Sequence, residues 1–432
     1  MKAFCLSLFL AVSSFVVLAV SFLRPSVSQF VVISTLAFGL QLLGTWVVLY
    51  YFRPIGISRR QAAVVVWGSL AWLGVLVALG IGWRQHPFQP FILVTDSAIQ
   101  TEVALQYLAE GRNPYVENYY GTELEKYPYP KRLALTNPAL EHFVYLPTLV
   151  WLSYPVYELA QWGLGFFDQR FMLLLATLAL VWLVWHELKW KPEVAILLAP
   201  CLMVSPWFAY NLLAGQNDVL PLMMVTGALL LWHRRMFTAG TIVLALAATT
   251  KQTVWFVLPF AAMYLWQTYG ELYGRQFGRR FFYQLAWFGL AALTSLAPFL
   301  IWDASALWHD TVGYILGATN LTYPIWGVGI GEMIVQLGIV SSRQATWPFV
   351  WLQLAVAIPL LIALLYQQRR LKPNLAYVMA AWGLWLGASW LAGRFFAPAH
   401  LGFIITVWAI ACLLHYSTLW ASPTQSTFTY VH

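Results

Sequence analysis

Apolar runs of about 17–25 residues, the length a helix needs to cross a bilayer, recur along the chain between short stretches rich in Arg, Lys, Pro and Gly. Only helices with every backbone group satisfied internally are stable in hydrocarbon, so the pattern predicts an all-α polytopic membrane protein. Phe4–Phe22 is the first run, and no small-residue cleavage site follows it before the next span starts, so it reads as a retained helix. A third run, near Ala62–Trp83, leads into the polar segment His86–His142.

Basic residues orient the spans. Lys2, Arg53, Arg59, Arg60, Lys189, Lys191, Arg234, Arg235, Arg275, Arg279, Arg280, Arg369, Arg370 and Lys372 form one set, assigned to the cytoplasm. Joining them requires an odd number of crossings between His142 and Lys189, where two apolar pieces lie. The first, Val144–Trp162, is interrupted by Pro147 and Pro155 and is expected to be embedded without crossing. Trp326–Val340 is likewise expected to be interfacial. The result is about 12 transmembrane helices plus interfacial or re-entrant ones, with both termini cytoplasmic. Two additional spans would occupy 1–60, a core 61–302 with an outer loop 84–143, and a C-terminal outer loop with the last three spans 303–432.

Composition agrees: 61% of the 432 residues are apolar or aromatic and 9% are charged, against roughly 25% charged in soluble domains. The net charge of +8 belongs to the cytoplasmic loops and does not point to nucleic acid. Cys5, Cys201 and Cys412 all lie in apolar runs, which argues against disulfides or a zinc site built on them. Most acidic residues fall on the outer side, so any chemistry is expected there.

The outer loop is the most informative segment. Asp96 follows the third span, and Ile99, Val103 and Tyr107 repeat at helical spacing, predicting an amphipathic helix over Ser97–Glu110 lying on the membrane. Ser97 and Gln100 have capping-box spacing, Gly111 should end the helix, and Asn113-Pro114 should force an extended turn. Two readings of Asp96 stand: a helix N-cap, or a general base at the membrane–water boundary. Lys251 sits within the apolar stretch Thr241–Trp266, which divides into two spans meeting outside. It is either a snorkelling lysine at a tight turn or a phosphate ligand. Gln216, Asn217 and Asp218 could cap the helix that follows, and His309, Asp310 and His400 read as solvated loop residues.

The order of these features resembles a known family. An Asp after an early span, a helix, the turn Gly111-Arg112-Asn113-Pro114-Tyr115 and an aromatic-proline run resemble the first outer loop of GT-C membrane glycosyltransferases. Gly215-Gln216-Asn217, then Ala239-Gly240, then Lys251 resemble the G-Q-x-N … A-G … K pattern of glycosyltransferase family 87, the polyprenyl-phosphate-mannose-dependent mannosyltransferases. The likeness covers roughly Trp83–Trp302, and the chain departs from it by two extra early spans and by lacking paired histidines near Arg394–His400.

The resemblance implies a GT-C fold and transfer of a sugar, mannose-like, from a polyprenyl-phosphate donor to a lipid or glycan hydroxyl on the extracytoplasmic face, with inversion. Asp96 would be the base, and Lys251 and Arg394 would bind the donor phosphate. Glu102, Arg112, Asn113, Tyr115, Gln216, Asn217 and His400 would contact substrate. Neither a D-x-D nor an H-E-x-x-H pattern occurs, so no metal or other cofactor is expected. The competing class is a lipid or solute transporter, which would carry its ionisable residues near the bilayer midplane.

Overall fold

The computed structural model describes residues 57–85, 91, 93–129, 136–203, 205–319 and 323–419. The two N-terminal apolar runs lie outside the described residues.

The described chain is predominantly helical. Its helices are α1 (Arg59–Arg84), α2 (Asp96–Ala109), α3 (Pro147–Leu164), α4 (Arg170–Leu188), α5 (Pro206–Leu213), α6 (Val219–His233) and α7 (Phe237–Ala248). They continue with α8 (Leu258–Tyr273), α9 (Phe277–Trp308), α10 (Ile330–Gln336), α11 (Phe349–Arg370), α12 (Leu375–Leu391) and α13 (Pro398–Leu419). Among the described residues, α1, α4, α11, the first part of α13 and the segment Gln252–Leu316 are long and apolar enough to cross a membrane; α6, α7 and α12 are shorter apolar helices. Their large outward-facing side chains, such as Leu79, Trp182, Ile301 and Ile362, suit contact with lipid chains rather than water.

Close helix pairing depends on small residues, as bilayer packing does generally. A Cβ on Gly240 of α7 would lie 2.6 Å from the Ala228 carbonyl of α6. One end of the bundle gathers basic groups: the Arg59 guanidinium lies 4.8 Å over the Trp190 ring, Lys189 lies 5.4 Å from it, and Arg234 pairs with Glu187. These are side chains that charge alone assigned to one face. The other end is a polar layer joining α1, α2, α4, α6 and the turn before α8.

The two segments expected not to cross are α3 and the region of α10. The N-terminus of α3 is tied to the α7–α8 turn by Leu146 N–H to Thr250 O (3.1 Å) and Thr148 N–H to Thr249 O (2.9 Å). Its C-terminus stops at Gly165 (φ +74°), and Asp168 just beyond pairs with Arg84 at 3.0 Å. Both ends of α3 therefore lie in the polar layer. Helix α10 has 7 residues, far too few to span. It follows a strand, β1 (Trp326–Gly327), paired in parallel with β2 (Phe395–Phe396), which holds the Arg394 turn in place. The Trp326 N–H donates to the Arg394 carbonyl at 2.9 Å.

Candidate functional site

The segment around Asp96 is helical, with two differences from expectation. The helix starts at Asp96 itself, with Thr95 in the N-cap position, so Asp96 is a first-turn residue rather than the cap. The capping box between Ser97 and Gln100 does not form. The Ser97 hydroxyl meets Thr95 Oγ1 (2.7 Å) and Gln216 Oε1 (3.4 Å), while Gln100 Nε2 donates to the carbonyls of Ala139 and His142. Gly111 ends the helix as expected, at φ +73°. Nor does α2 lie on the lipid. Ile99, Val103 and Tyr107 are buried, but so are Gln100, Thr101 and Leu105, because protein covers more than one side. The Tyr-rich loop folds over the helix, with Tyr107 Oη donating to the Asn118 carbonyl at 2.8 Å.

The two motif blocks dock directly on each other. Thr95 N–H and Thr95 Oγ1 both donate to the Ala214 carbonyl, each at 2.9 Å. Gly215 has φ +77°, and a Cβ there would sit 2.6 Å from Ala98 Cβ, so glycine is required on two counts. Asn217 Nδ2 donates to Thr101 Oγ1 (2.9 Å) and its Oδ1 accepts from Gln169 Nε2 (3.0 Å). Asp218 occupies the N-cap position of α6 but makes no cap bond; its carboxylate takes Lys251 Nζ at 2.6 Å.

Several of the ten sequence-predicted residues converge around a group of tyrosines. Tyr145, 5.7 Å from Lys251 Nζ, lies next to Ser97 and Asn217. Tyr314 lies within electrostatic reach of both Asp96 and Arg394, and Tyr323 within reach of Asp96, Tyr145 and Asp218. His400 stacks on Trp390 at 4.2 Å and senses Lys251 and Asp218. It is partly buried at the start of α13, not a solvated loop residue. Thus Asp96, Gln216, Lys251, Arg394 and His400 share one neighbourhood.

The electrostatics within it are uneven. Burial raises the Asp96 pKa above the ordinary carboxylate value, opposed by the Ser97 N–H and the nearby Asn137 amide. Lys251 is already neutralised by Asp218. Arg394 differs: it is 9% exposed, and its Nε and Nη2 have no hydrogen-bond partner among the described residues. Its guanidinium fits because Gly317 has no side chain; a Cβ there would lie 2.5 Å from Arg394 Nη1. Buried donors left open are rare in proteins and suit an anion.

Glu102 and Arg112 lie elsewhere. Glu102 forms a bidentate pair with Arg84 (2.8 and 2.6 Å) and accepts the Gln169 N–H (2.8 Å). Arg112 pairs with Glu110 and Glu117 over the Tyr107 ring. Both face an open cavity of about 940 Å³ that Tyr120, Tyr157 and Phe166 also line. Asn113 and Tyr115 are sealed in the protein: Asn113 Oδ1 accepts the Tyr115 N–H, and Tyr115 Oη donates to the Tyr145 carbonyl at 2.8 Å. These two and Asn217 build the scaffold, with Asn113 Nδ2 alone among their named groups left without a partner among the described residues.

Sequence reasoning missed two features. Asp168 and Arg170 form a fully buried pair (2.7 Å), and Arg170 also donates to the carbonyls of Leu93 and Leu213. Against burial, which would raise it, the two arginines hold the Asp168 carboxyl below its usual value. A charged D-Q-R triplet at the head of an apolar run was the available signal. Asp310, read as a solvated loop residue, is 3% exposed and bonds inward.

Fold and site together define a helical protein with apolar spans and a polar, tyrosine-lined site at one end of its bundle. No protein-family model, curated protein or solved structure matches the chain.

Proposed function

We propose that the protein is a membrane glycosyltransferase of the GT-C type, moving a sugar from a polyprenyl-phosphate donor to an acceptor hydroxyl. The observation that carries this reading is the pairing of unlike groups around Tyr314: a buried acid, Asp96, and a buried cation with open donors, Arg394. The bundle would cross the bilayer about 12 times, with the polar layer on the extracytoplasmic side.

In this mechanism the acceptor hydroxyl gives its proton to Asp96 as its oxygen attacks the anomeric carbon. The bond from that carbon to the phosphate oxygen breaks, and configuration inverts. The departing lipid phosphate gains negative charge, which Arg394 Nε and Nη2 would meet with charge-assisted hydrogen bonds. Lys251, tied to Asp218, adds positive potential without being a free ligand. Gln216 is positioned by Ser97 near the acid. The mannose preference and the monophosphate carrier rest on the family resemblance alone. A transporter is less well supported, because the ionisable groups cluster at one end of the helices rather than midway along them.

Asp96→Asn tests the reading. General-base catalysis is worth about 10²–10⁴ in rate, or roughly 3–5 kcal/mol of barrier. The variant should lose that much sugar transfer from a polyprenyl-phosphate donor while keeping its expression. Turnover near wild type would remove Asp96 from the chemistry. Mass spectrometry of co-purified lipid should find a polyprenyl phosphate in the wild type.

A further inference from the structure

A second polar cluster lies beside the first and is used by nothing described so far. Helix α9 breaks at Asp303 (φ −161°, ψ 97°), whose Oδ1 accepts the Ala306 N–H at 2.9 Å and restarts the helix. The chain then forms one π-helical turn, His309–Gly313. Such turns insert an extra residue, re-aim side chains and are frequent at functional positions. Here the turn directs Asp310 inward, against the loop that carries His142.

Three side chains meet there. His142 Nδ1 lies 3.0 Å from Asp310 Oδ1, and His309 Nδ1 lies 3.4 Å from the same oxygen. The potential ligand atoms all fall within 4.8 Å of one another. Around a tetrahedral zinc-class ion, with bonds of about 2.0–2.2 Å, ligand atoms sit roughly 3.3 Å apart. The observed spacings bracket that value. The set is also the right chemistry: two imidazoles and a carboxylate form the three-ligand pattern that leaves a fourth position open.

Outer contacts hold the ligands in place. Asp310 Oδ2 accepts the Phe143 N–H at 2.8 Å, fixing the carboxylate plane, and the Tyr314 ring stacks on His142 at 4.4 Å. Gln100 Nε2 donates to the His142 carbonyl at 2.6 Å, linking the cluster to α2. His142 is 4% exposed, and its Nε2 has no hydrogen-bond partner among the described residues. His309, by contrast, has a half-exposed side chain, giving an ion a route from solvent.

We infer that His142, His309 and Asp310 form a binding site for a divalent transition-metal ion of the zinc class, adjoining Tyr314 and hence the Asp96–Arg394 neighbourhood. The inference stands on the cluster's own geometry and does not depend on the transferase reading. Sequence patterns could not reveal it, because its ligands are 168 residues apart and match no local metal motif.

Co²⁺ is the probe, used on full-length protein purified without a histidine tag and stripped with chelator. The wild type should bind one equivalent, develop visible d–d absorption and melt at a higher temperature, and Zn²⁺ should displace the Co²⁺. His309→Ala alters a solvent-facing side chain and should fold normally, but its Co²⁺ affinity should fall by more than about tenfold. Asp310→Asn, which can still accept the Phe143 N–H, should behave alike. Absence of Co²⁺ uptake by the folded wild type would overturn the site. So would uptake by His309→Ala that is equally tight and spectrally identical.

Discussion

At the residue scale, Asp96 and Arg394 carry opposite kinds of incompleteness. The Asp96 pKa is raised by burial, so the carboxylate forms at a higher pH than that of an ordinary Asp. Transfer should therefore rise with pH through a midpoint above about 3.9, the unperturbed Asp value, and a pH profile of kcat/KM would measure it. The stability linkage has the opposite sign. A folded-state pKa above the unfolded one favours the protonated fold, so this contribution is full at low pH and is lost as pH rises through the raised pKa. Asp96→Asn should remove it. Arg394 Nε and Nη2 have no partner among the described residues, so replacing them leaves no partner unsatisfied there. Arg394→Met should leave thermal stability unchanged or higher. It should also cost roughly 10- to 100-fold in kcat/KM for the lipid-phosphate donor, the worth of a charged hydrogen bond, with partial recovery in Arg394→Lys. A large loss of stability would mark Arg394 as structural instead.

At the scale of elements, the site depends on how α2 is pinned. Its N-terminus is tied to Ala214, its middle to Asn217 and Gln169, and its Glu102 to Arg84. The anchor beneath is the Asp168–Arg170 pair, from which Arg170 reaches the carbonyls before α2 and at the end of α5. Asp168→Asn would leave the buried Arg170 without its carboxylate, a loss of about 3–5 kcal/mol. Glu123 also touches Arg84, but its side chain is 44% exposed. Glu123→Gln should therefore shift stability by no more than about 0.5 kcal/mol. Thermal denaturation of both variants would check the contrast; equal effects would mean that the buried network is not the anchor.

At the scale of the whole molecule, the polar and basic ends predict an orientation. In a background with Cys5, Cys201 and Cys412 replaced by Ser, Lys126→Cys should react with an impermeant thiol reagent in intact cells. Arg279→Cys should react only after permeabilisation. The reverse pattern would put the site on the cytoplasmic face and rule out an extracytoplasmic transferase. The grouping of Arg59, Lys189 and Arg234 was legible from charge alone, and so was the break at Lys251, since a single lysine cannot stay in mid-bilayer. The expectation that α3 does not cross came from the odd number of crossings required between two basic loops.

What the sequence determined by itself were properties set by solvent: which segments are apolar enough to span, which charges share an end, and where the chain must turn. Each depends on composition within a window of some 20 residues, which is why it can be read locally. It also marked Asp96, Gly215 and Lys251 as positions of interest. Only the tertiary structure decided which of the marked residues were already satisfied. Glu102, Asn217 and Lys251 look like free polar groups in the sequence, but each is bonded by a residue from a distant segment. Arg394 looks ordinary, yet two of its buried donors meet no partner among the described residues. Asp310 looks solvated, and is turned inward by one extra residue in a helical turn. A hydrogen bond or a vacancy is a relation between two places in space, and partners on separate elements, from 18 residues apart for Arg84 and Glu102 to 116 for Thr101 and Asn217, have no local signal that fixes it.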